Sequence, residues 1–282
     1  HCYDTLVPSV AGNPDLRIMD FDYLPIYDNN NNNNTVERSL QGFFLCLVYS
    51  NSFIKVFYYD LVNKKFHLMV DDYYKDICIL TIKFVVHSQK IHMVIGATDG
   101  FLTVYDVPVP AGLQMQNGND GAALVGEYHH SDGAAAAKLG RPVITQQIHQ
   151  NGIKTMCVSN RSESIDIVTG GDDNALGLFT LTFDNNGTIT SGTIKAFSED
   201  AASSTITSIS PVSTSQFLVT SVDQVVRIWN TVDGLHLVDA KYVTIADTGS
   251  SDTTTFEDVA GNKIAVGAIG GVGLSVWKIN ND

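Results

Sequence analysis

The alternation of apolar and polar positions along this chain repeats with a period close to fifty residues. In each repeat an apolar run leads into a small polar turn, and a second, alternating run follows and ends on an aromatic side chain. Five copies are present, and the turn residue and the aromatic lie six positions apart in all of them: Asn51 and Phe57, Asp99 and Tyr105, Asp173 and Phe179, Asp223 and Trp229, Gly271 and Trp277. The turn residues are 48, 74, 50 and 48 positions apart, so the period predicts a repeat architecture with one insertion.

Each copy predicts two strands joined by a tight turn, because both runs are short, rich in β-branched and aromatic residues, and bounded by turn-forming residues. A further short apolar run precedes each pair and predicts an inner strand, named strand a here, at 17–21, 77–84, 153–158, 206–209 and 243–246. A run after each of the first four pairs predicts an outer strand d, at 65–70, 143–148, 188–197 and 235–243. Four strands per repeat predict an all-β propeller with five recognisable four-stranded blades.

The repeat also predicts the domain organisation. Residues 1–16 form a lead-in strand from a preceding blade, and residues 17–282 form five blades with approximate limits of 17–71, 77–149, 153–198, 205–243 and 244–279. Two segments interrupt the pattern, at 23–40 and 108–140. The first contains six consecutive asparagines at 29–34 and predicts a disordered loop. The second is rich in glycine and alanine and predicts a structureless insertion, either a binding loop or, as its composition favours, a tolerated one.

Composition agrees with a globular protein and narrows the choice of partners. Hydrophobic residues make up 44% of the chain and charged residues 17%, so a sizeable core can form. The 17 Lys and Arg against 30 Asp and Glu give a formal net charge of −13. Because so acidic a surface repels phosphate groups, nucleic-acid binding by this segment alone is disfavoured and a basic protein partner is favoured.

Cysteine spacing and hydropathy favour an intracellular protein without a membrane span. The four cysteines, Cys2, Cys46, Cys78 and Cys157, show no CxxC spacing, which disfavours zinc and predicts reduced, buried thiols. No apolar stretch approaches the roughly 20 residues that a membrane-spanning helix needs, and no signal-peptide pattern begins the chain. We therefore expect a cytoplasmic protein.

Some residues could carry chemistry, but a structural role is favoured for each. The glycine-rich segment 267–273 is similar to a phosphate-binding loop but lacks the following Lys-Ser/Thr and a helix, so it predicts a tight turn. His129 and His130 could bind a metal, but they lie in the insertion without ligands at motif spacing. Trp229 and Trp277 are interpreted as core anchors at the ends of strands and not as platforms for stacked bases.

Two pairs of acidic residues, Asp172 with Asp173 and Asp71 with Asp72, could act as paired carboxylates. Asp173 is the turn residue of the third repeat, and Asp71 and Asp72 are expected in a polar connection after a strand d. We therefore predict no catalytic, metal-binding or cofactor-binding residues, no cofactor, no small-molecule substrate and no enzyme activity.

The spacing resembles the WD-repeat family. Its signature, a turn Asp followed six residues later by Trp, is best matched by Asp223 and Trp229, and His149, four residues ahead of Ile153, resembles the family's Gly-His element. In that family the His and the Asp hydrogen-bond across the blade and lock the loop between strand d and the next strand a. The resemblance implies structural blade-turn and lock positions at His149, Asp99, Asp173, Ser221, Asp223, Trp229 and Trp277. The sequence departs from the pattern where Phe57, Tyr105 and Phe179 replace Trp and where Asn51 and Gly271 replace Asp.

Four segments resemble a narrower family, the C-terminal propeller of the large WD-repeat partner subunit of the tRNA anticodon-loop ribose 2′-O-methyltransferase. They are residues 149–155, 167–173, 218–224 and 270–277, together with Asp247. In that family a separate subunit holds the methyl donor and performs the chemistry. The WD-repeat subunit holds this enzyme and helps it engage the wobble nucleotide. The resemblance implies a methyltransferase catalytic subunit as the protein partner and contact with tRNA through the complex.

An alternative stays open, because a blade pattern alone does not specify function. The chain could instead be a general protein-interaction propeller from another multi-subunit assembly, such as one in trafficking or chromatin. The pattern does not specify which face or blade binds a partner.

Ring closure is a further expectation. WD-repeat rings usually have seven blades, whereas five are recognisable here and the fifth has no strand d of its own. We expect upstream chain to supply the missing blades and the closing strand, with residues 2–7 as strand d of the blade before the first. In the alternative, a closed five-bladed ring, residues 2–7 pair directly with 274–279.

Overall fold

β-Strands are the only regular elements in the described part of the chain. The structure, a computed structural model, describes residues 16–27, 39–88, 90–108, 113–118, 121–126, 135–161, 163–257 and 263–279. Within these ranges there is no helix, and hence none that could cross a membrane. The predicted all-β class is confirmed.

The described residues contain twenty-one strands in five sheets. The strands are β1 (Ile18–Tyr27), β2 (Leu40–Tyr49), β3 (Phe53–Asp60), β4 (Lys65–Tyr73), β5 (Ile79–His87), β6 (Lys90–Ala97), β7 (Phe101–Val107), β8 (Leu113–Gly118), β9 (Gly121–Gly126), β10 (Ile144–Gln147), β11 (Ile153–Asn160), β12 (Ser164–Gly171), β13 (Leu176–Phe183), β14 (Ile189–Ser198), β15 (Ile206–Pro211), β16 (Gln216–Ser221), β17 (Val225–Asn230), β18 (His236–Tyr242), β19 (Ser250–Glu257), β20 (Lys263–Gly270) and β21 (Leu274–Ile279).

Each sheet is built mainly from strands that follow one another along the chain. The orders are β4-β3-β2-β1-β9-β8, β10-β7-β6-β5, β11-β12-β13-β14, β15-β16-β17-β18 and β19-β20-β21. In the third and fourth sheets every strand pairs antiparallel with the next one in sequence. A succession of four-stranded sheets of this kind is the arrangement of propeller blades.

Contacts between Cα atoms divide the chain into two compact units. The first unit comprises His1–Ile95, Thr103–Thr145 and Asp184–Thr188, and the second comprises Gly96–Leu102, Gln146–Phe183 and Ile189–Asp282. The third, fourth and fifth sheets belong almost entirely to the second unit.

The second strand of each sheet contributes most to the core. β12 is buried at all positions but its first, and so is β16, whereas β18 is exposed along its whole length. A strand that is paired on both edges and covered on both faces favours apolar side chains at almost every position. The outermost strand has a free edge and tolerates polar residues. This explains why the apolar runs in the sequence are strongest at the second strands.

The first strand is longer than the sequence pattern predicts. β1 continues through Leu24 and Ile26, which are 7% and 1% exposed, so the interruption predicted at 23–40 begins too early. Their alternation with less buried neighbours is a strand pattern, but Pro25 obscures it because proline is rare inside strands. The asparagines at 29–34 lie outside the described residues.

The insertion predicted to be structureless, 108–140, contains a hairpin. β8 and β9 pair antiparallel, and β9 adds to the first sheet by parallel pairing with β1, where Ile26 lies opposite Leu124. Further along, Ala137 forms a parallel bridge to Val70 at the other edge of the sheet. The prediction was wrong because a glycine- and alanine-rich segment has no apolar period, whereas pairing to a free strand edge needs only backbone groups.

Asp71 and Asp72 lie in β4, not in a connection after the outer strand as predicted. Lys55 Nζ on β3 donates to Asp71 Oδ2 at 2.9 Å, and Leu139 N in the insertion donates to Asp72 Oδ2 at 2.7 Å. The two carboxylates therefore have separate partners, as expected for consecutive residues of a strand.

The inner strand of the fifth sheet is displaced from its predicted position. The pattern places this strand at 243–246, in a blade that begins at 244, but β19 covers Ser250–Glu257. Val243 is buried at 2% exposure, yet it lies in the connection before the sheet. The prediction was wrong because β19 has almost no apolar residues, while threonine favours strands through its β-branched side chain.

The fifth sheet has three strands, and β21 has β20 as its single neighbour among the described residues. Residues 2–7 and nearly all of the predicted lead-in strand, 1–16, lie outside the described residues. The pairing of residues 2–7 and the seven-bladed ring therefore stay predictions.

Candidate functional site

The predicted turn aspartates lie between the second and third strands of their sheets. Asp99 follows β6, Asp173 follows β12 and Asp223 follows β16. In each turn the carboxylate Oδ1 accepts a hydrogen bond from the backbone N–H two residues later, at 3.2, 3.3 and 2.9 Å respectively. This Asx turn explains why the repeat places an acidic residue at this position.

The residue after each of these aspartates has a left-handed backbone. The φ angles are 76° at Gly100, 66° at Asn174 and 61° at Gln224. At the first of these positions only glycine fits, because a Cβ on Gly100 would lie 2.1 Å from the carbonyl oxygen of His149. The turn after β6 is therefore packed tightly against the loop that carries His149.

His149 joins this loop to the turn of the third sheet. Its Nδ1 lies 2.9 Å from Asp173 Oδ1 and its Nε2 lies 2.9 Å from Thr169 Oγ1, and its side chain is fully buried. The second carboxylate oxygen of Asp173 accepts a hydrogen bond from Gln150 N at 2.9 Å. One aspartate thus holds two consecutive residues of the loop before β11, and we name the contact between His149 and Asp173 the lock.

The protonation of the lock follows from its burial. Burial lowers the pKa of His149, against the opposing effect of Asp173, so the imidazole is neutral and carries one proton. Burial alone would raise the pKa of Asp173, but hydrogen bonds from His149 and from backbone N–H groups lower it. Because a carboxylate only accepts, Nδ1 carries the proton. Nε2 is then an acceptor, 2.9 Å from the hydroxyl of Thr169, which also lies 3.3 Å from the carbonyl oxygen of Gly177. A Cβ on Gly171 would lie 2.4 Å from Asp173 Oδ1, so glycine is required beside this pair.

The turn aspartate of the fourth sheet has an arginine partner, which sequence reasoning missed. Arg227 Nη1 and Nη2 donate to the two carboxylate oxygens of Asp223 at 3.1 and 2.7 Å, and the two side chains are only 10% and 9% exposed. Asp223 Oδ2 also accepts from Ser203 N at 2.9 Å, the counterpart of the contact from Gln150. Burial alone would raise the pKa of Asp223, but Arg227 and the backbone N–H groups lower it. An arginine inside an apolar strand, two residues before Trp229, was the signal available in the sequence.

Ser221 ties the turn of the fourth sheet to two loops. Its hydroxyl donates to Ser204 O at 2.9 Å and accepts from Asp223 N at 3.3 Å, and its carbonyl oxygen accepts from the hydroxyl of Thr248. The side chain of Ser221 is fully buried.

The two tryptophans differ in their environment. Trp229 is 6% exposed and packs in the core of the third and fourth sheets. Trp277 is only partly buried and packs against the smaller apolar cluster of the fourth and fifth sheets. The indole Nε1–H of each is buried without an acceptor among the described residues.

A second buried histidine, in the first unit, was also missed. His92 in β6 is fully buried, with Nδ1 at 2.7 Å from Asp106 Oδ1 and Nε2 at 3.1 Å from Gly187 O. His92 lies within a strand, whereas the repeat pattern places its histidine in the loop before strand a. A polar residue in the otherwise apolar run of β6 was the signal that could have identified it.

The turns and loops at one end of the second unit form an acidic surface, which we name the turn face. It consists of residues 149–152, 171–175, 199–205, 221–224, 245–249 and 270–273, which are linked by backbone hydrogen bonds such as Asp172 N to Gly152 O and Val272 N to Ala246 O. The turn face contains no Lys or Arg. Its exposed charges are Asp172, Glu199, Asp200 and Asp247, with the exposed apolar side chains of Val222 and Val272 among them.

The residues considered for other chemistry do not converge in the described part of the chain. No group of three or more His, Cys, Asp or Glu there could hold a metal ion. Cys46 and Cys157 are buried and Cys78 is partly buried, all as free thiols. In the glycine-rich segment 267–273, the first four residues end β20 and the others form the turn to β21. Cys2, His129 and His130 lie outside the described residues.

Consecutive antiparallel sheets, each built from strands that follow one another along the chain, define the fold class as an all-β propeller. A comparison with protein-family models and with curated proteins finds no match for this chain. Among solved structures, the chain is similar to "Structure of U3-55K" and to "Crystal structure of RRP9 WD40 repeats". For each of the two, the TM-score is 0.49 and the sequence identity is 13%. The matched region covers 80% of this chain and 57% of the solved chain.

Proposed function

We propose that this chain is a non-catalytic scaffold that binds a tRNA ribose 2′-O-methyltransferase and helps it act on the wobble nucleotide of the anticodon loop. The proposal rests on segments 149–155 and 167–173, which are two of the four segments that resemble the partner subunit. These segments contain His149, Thr169 and Asp173, whose side chains form the buried lock of the third sheet. The residues that resemble that family are therefore the ones that shape the turn face.

A rigid surface is what such a scaffold has to provide. The loops of the turn face are tied to neighbouring turns by the hydrogen bonds of Asp173, Asp223 and Ser221. A preorganised surface loses little conformational freedom on binding, which favours affinity for a protein partner. The methyl donor and the chemistry belong to the separate catalytic subunit.

The charge of the chain supports an indirect contact with tRNA. A net charge of −13, with exposed acidic residues and no basic residue on the turn face, opposes binding of a phosphate backbone. The tRNA is therefore held mainly by the complex, and the turn face suits basic protein segments. Cytoplasmic localisation and a seven-bladed ring belong to the same proposal.

Affinity capture tests the proposal. The full-length protein that carries this chain is purified by a tag, and the co-purified proteins are identified by mass spectrometry. We expect the tRNA ribose 2′-O-methyltransferase catalytic subunit at near-equal amount, and reduced capture by the turn-face variant Asp172→Lys with Asp247→Lys. The matched control Asp239→Lys with Asp252→Lys, exposed residues outside the turn face, should capture normally. Absence of the catalytic subunit from the wild-type eluate would contradict the proposal.

A further inference from the structure

His92, in the first unit, is a fully buried histidine whose two ring nitrogens both face acceptors. Its Nδ1 lies 2.7 Å from Oδ1 of Asp106, and its Nε2 lies 3.1 Å from the carbonyl oxygen of Gly187. A neutral imidazole has one N–H and can donate to only one of them, whereas an imidazolium donates to both. His149 differs, because the group beside its Nε2 is the hydroxyl of Thr169, which can donate as well as accept. The geometry around His92 therefore fits a doubly protonated ring.

The carboxylate of Asp106 provides the opposite charge that a buried imidazolium needs. Burying a charge is costly unless the charge is paired and hydrogen-bonded. The side chain of His92 is fully buried, whereas that of Asp106 is 55% exposed, so the carboxylate keeps contact with water while it pairs with the ring. Burial, and then the charge of His92, lower the pKa of the neighbouring His87, which agrees with a positive ring at His92.

The second acceptor belongs to a segment that is held in shape by its own hydrogen bonds. This segment, Asp184–Thr188, connects β13 with β14 and is part of the first unit. Asp184 N donates to Thr188 O at 2.9 Å, and Asp184 Oδ1 accepts from Asn186 N and Thr188 N at 2.9 and 2.7 Å. The hydrogen bond from the backbone of Thr188 lowers the pKa of Asp184. The carbonyl group of Gly187 is therefore presented by a preformed turn.

The same segment is packed tightly against the end of β5. Gly187 has a φ of 75°, and a Cβ on it would lie 2.6 Å from the carbonyl oxygen of His87 and 3.0 Å from Ser88 Cβ. In addition, Lys90 Nζ donates to Thr188 Oγ1 at 2.8 Å. The turn is thus placed against the second sheet with its carbonyl oxygen directed at the buried imidazole.

The two acceptors of His92 are not equal. The charged and titratable groups that the structure places around this contact are His92, His87, Lys90, Asp106 and Asp184. Among these residue types, histidine is the one that changes its charge near neutral pH. Because hydrogen bonds to a charged acceptor are stronger than those to a neutral one, a ring with one proton keeps it on Nδ1, toward Asp106. Nε2 then faces the carbonyl oxygen of Gly187 without a proton between them.

We propose that His92 is a pH-sensitive switch that controls the position of segment 184–188. With a proton on each ring nitrogen, His92 holds the carbonyl group of Gly187 against the second sheet. When the pH rises and the ring loses one proton, two acceptors face each other in a buried place, and a buried acceptor without a donor is costly. The segment then moves away from the imidazole. The switch lies outside the turn face and requires no methyltransferase.

NMR spectroscopy of the 282-residue chain tests the proposal. The sequence Gly-Thr occurs twice, at Gly187–Thr188 and Gly192–Thr193, so glycine labelled with carbonyl ¹³C and threonine labelled with ¹⁵N give two carbonyl–amide signals. Between pH 6 and pH 8.5 the Gly187 carbonyl signal should move upfield as its hydrogen bond is lost. ¹⁵N-labelled histidine should show that His92 loses a proton over the same interval. The signal of Gly192, which is paired within the third sheet, should stay unchanged.

Three variants show whether His92 and Asp106 cause the movement. In Asp106→Asn the amide can donate to Nδ1, so a neutral ring keeps its proton on Nε2, and the Gly187 signal should stay at its hydrogen-bonded position throughout. In His92→Gln no ring titrates, and the signal should not depend on pH. The matched control His87→Gln removes the neighbouring histidine and should leave the pH-dependent movement unchanged.

Several results would overturn the proposal. One is an unprotonated Nε2 of His92 at pH 6, and another is a ring that keeps both protons up to pH 8.5. Others are loss of the proton without movement of the Gly187 signal, movement that persists in His92→Gln or Asp106→Asn, and movement that disappears in His87→Gln. If His92→Gln does not fold, Asp106→Asn, at an exposed side chain, decides the question. None of these results bears on the proposed function, because no methyltransferase is present.

Discussion

The third and fourth sheets hold the same turn with different residues. In both, the turn aspartate accepts a backbone hydrogen bond from the loop before the sheet, from Gln150 in the third and from Ser203 in the fourth. The side-chain partner differs, because the third sheet uses His149 from that loop and the fourth uses Arg227, which is four residues after Asp223 in the same hairpin. The repeat therefore specifies the aspartate that accepts the hydrogen bond, whereas the side chain that donates to it comes from a different segment in each of the two sheets.

This difference changes what each contact stabilises. His149 is neutral and connects two segments that are distant in the sequence, so it fixes the loop before β11. Arg227 is charged and lies in the hairpin itself, so it neutralises the buried Asp223 without fixing the loop. The loop of the fourth sheet depends instead on Ser203 and Ser221.

The largest expected effect comes from removing the carboxylate of the fourth sheet. Asp223→Ala leaves the guanidinium of Arg227 buried without its partner, and breaking a buried pair costs about 3–5 kcal/mol. Urea unfolding followed by tryptophan fluorescence measures this loss. The double variant Asp223→Ala with Arg227→Leu should be more stable than the single variant, and a double variant that is less stable would contradict the assignment.

Removing the histidine of the third sheet should cost less. His149→Ala removes one buried side-chain donor from Asp173, which keeps its backbone donors Gln150 N and Ala175 N. We expect a loss of about 1–3 kcal/mol. The same urea unfolding applies, with the exposed His236→Ala as control, where a change within about 0.5 kcal/mol is expected. A loss at His149 equal to that at Asp223 would mean that the two sheets do not differ as described.

Acidification should weaken the third sheet before the fourth. The pKa of His149 in the folded chain lies below its ordinary value of 6.5 because of burial. As the pH falls below about 6.5, the unfolded chain takes up a proton that the folded chain does not, so stability decreases until the folded pKa is reached. The pKa values of Asp173 and Asp223 are lowered from their ordinary value of 3.8. The stability that these two carboxylates contribute is therefore lost only as the pH falls below 3.8.

Thermal unfolding between pH 7 and pH 5 measures this dependence. The midpoint of the wild-type chain should decrease over this interval, and that of His149→Ala should decrease less. An identical decrease in the two proteins would show that His149 does not titrate as described.

The spacing of the repeat predicts the register of the turns because it reflects chemistry that is local in sequence. The acceptor and its Asx turn lie within three residues, so Asp99, Asp173 and Asp223 can be identified without the structure. Arg227 and His92 leave only the signal of a polar residue in an apolar run, and the sequence does not give their partners, which depend on which side chains meet after folding. The hairpin β8–β9 and strand β19 were missed for another reason: backbone pairing holds them, and it leaves no apolar period in the sequence.

The smallest change in the free energy of unfolding is expected when the histidine contact is introduced into the fourth sheet. Ala202 precedes Ser203 as His149 precedes Gln150, so Ala202→His places an imidazole toward Asp223. In the background Arg227→Thr, this substitution should recover about 0.5–1 kcal/mol of the free energy of unfolding. The gain should vanish when Asp223→Ala is added, and a gain that persists would mean that the imidazole does not reach the carboxylate.

Reconstituted methylation tests the proposed scaffold function most directly. The methyltransferase catalytic subunit, the full-length protein that carries this chain, and substrate tRNA are combined with a labelled methyl donor, and ribose methylation at the wobble nucleotide is counted. If the chain is the proposed scaffold, methylation occurs when both proteins are present, little occurs with the catalytic subunit alone, and none occurs with the protein that carries this chain alone. Two results would contradict the proposed scaffold function: methylation by this protein alone, or a methylation rate of the catalytic subunit that does not change when this protein is added.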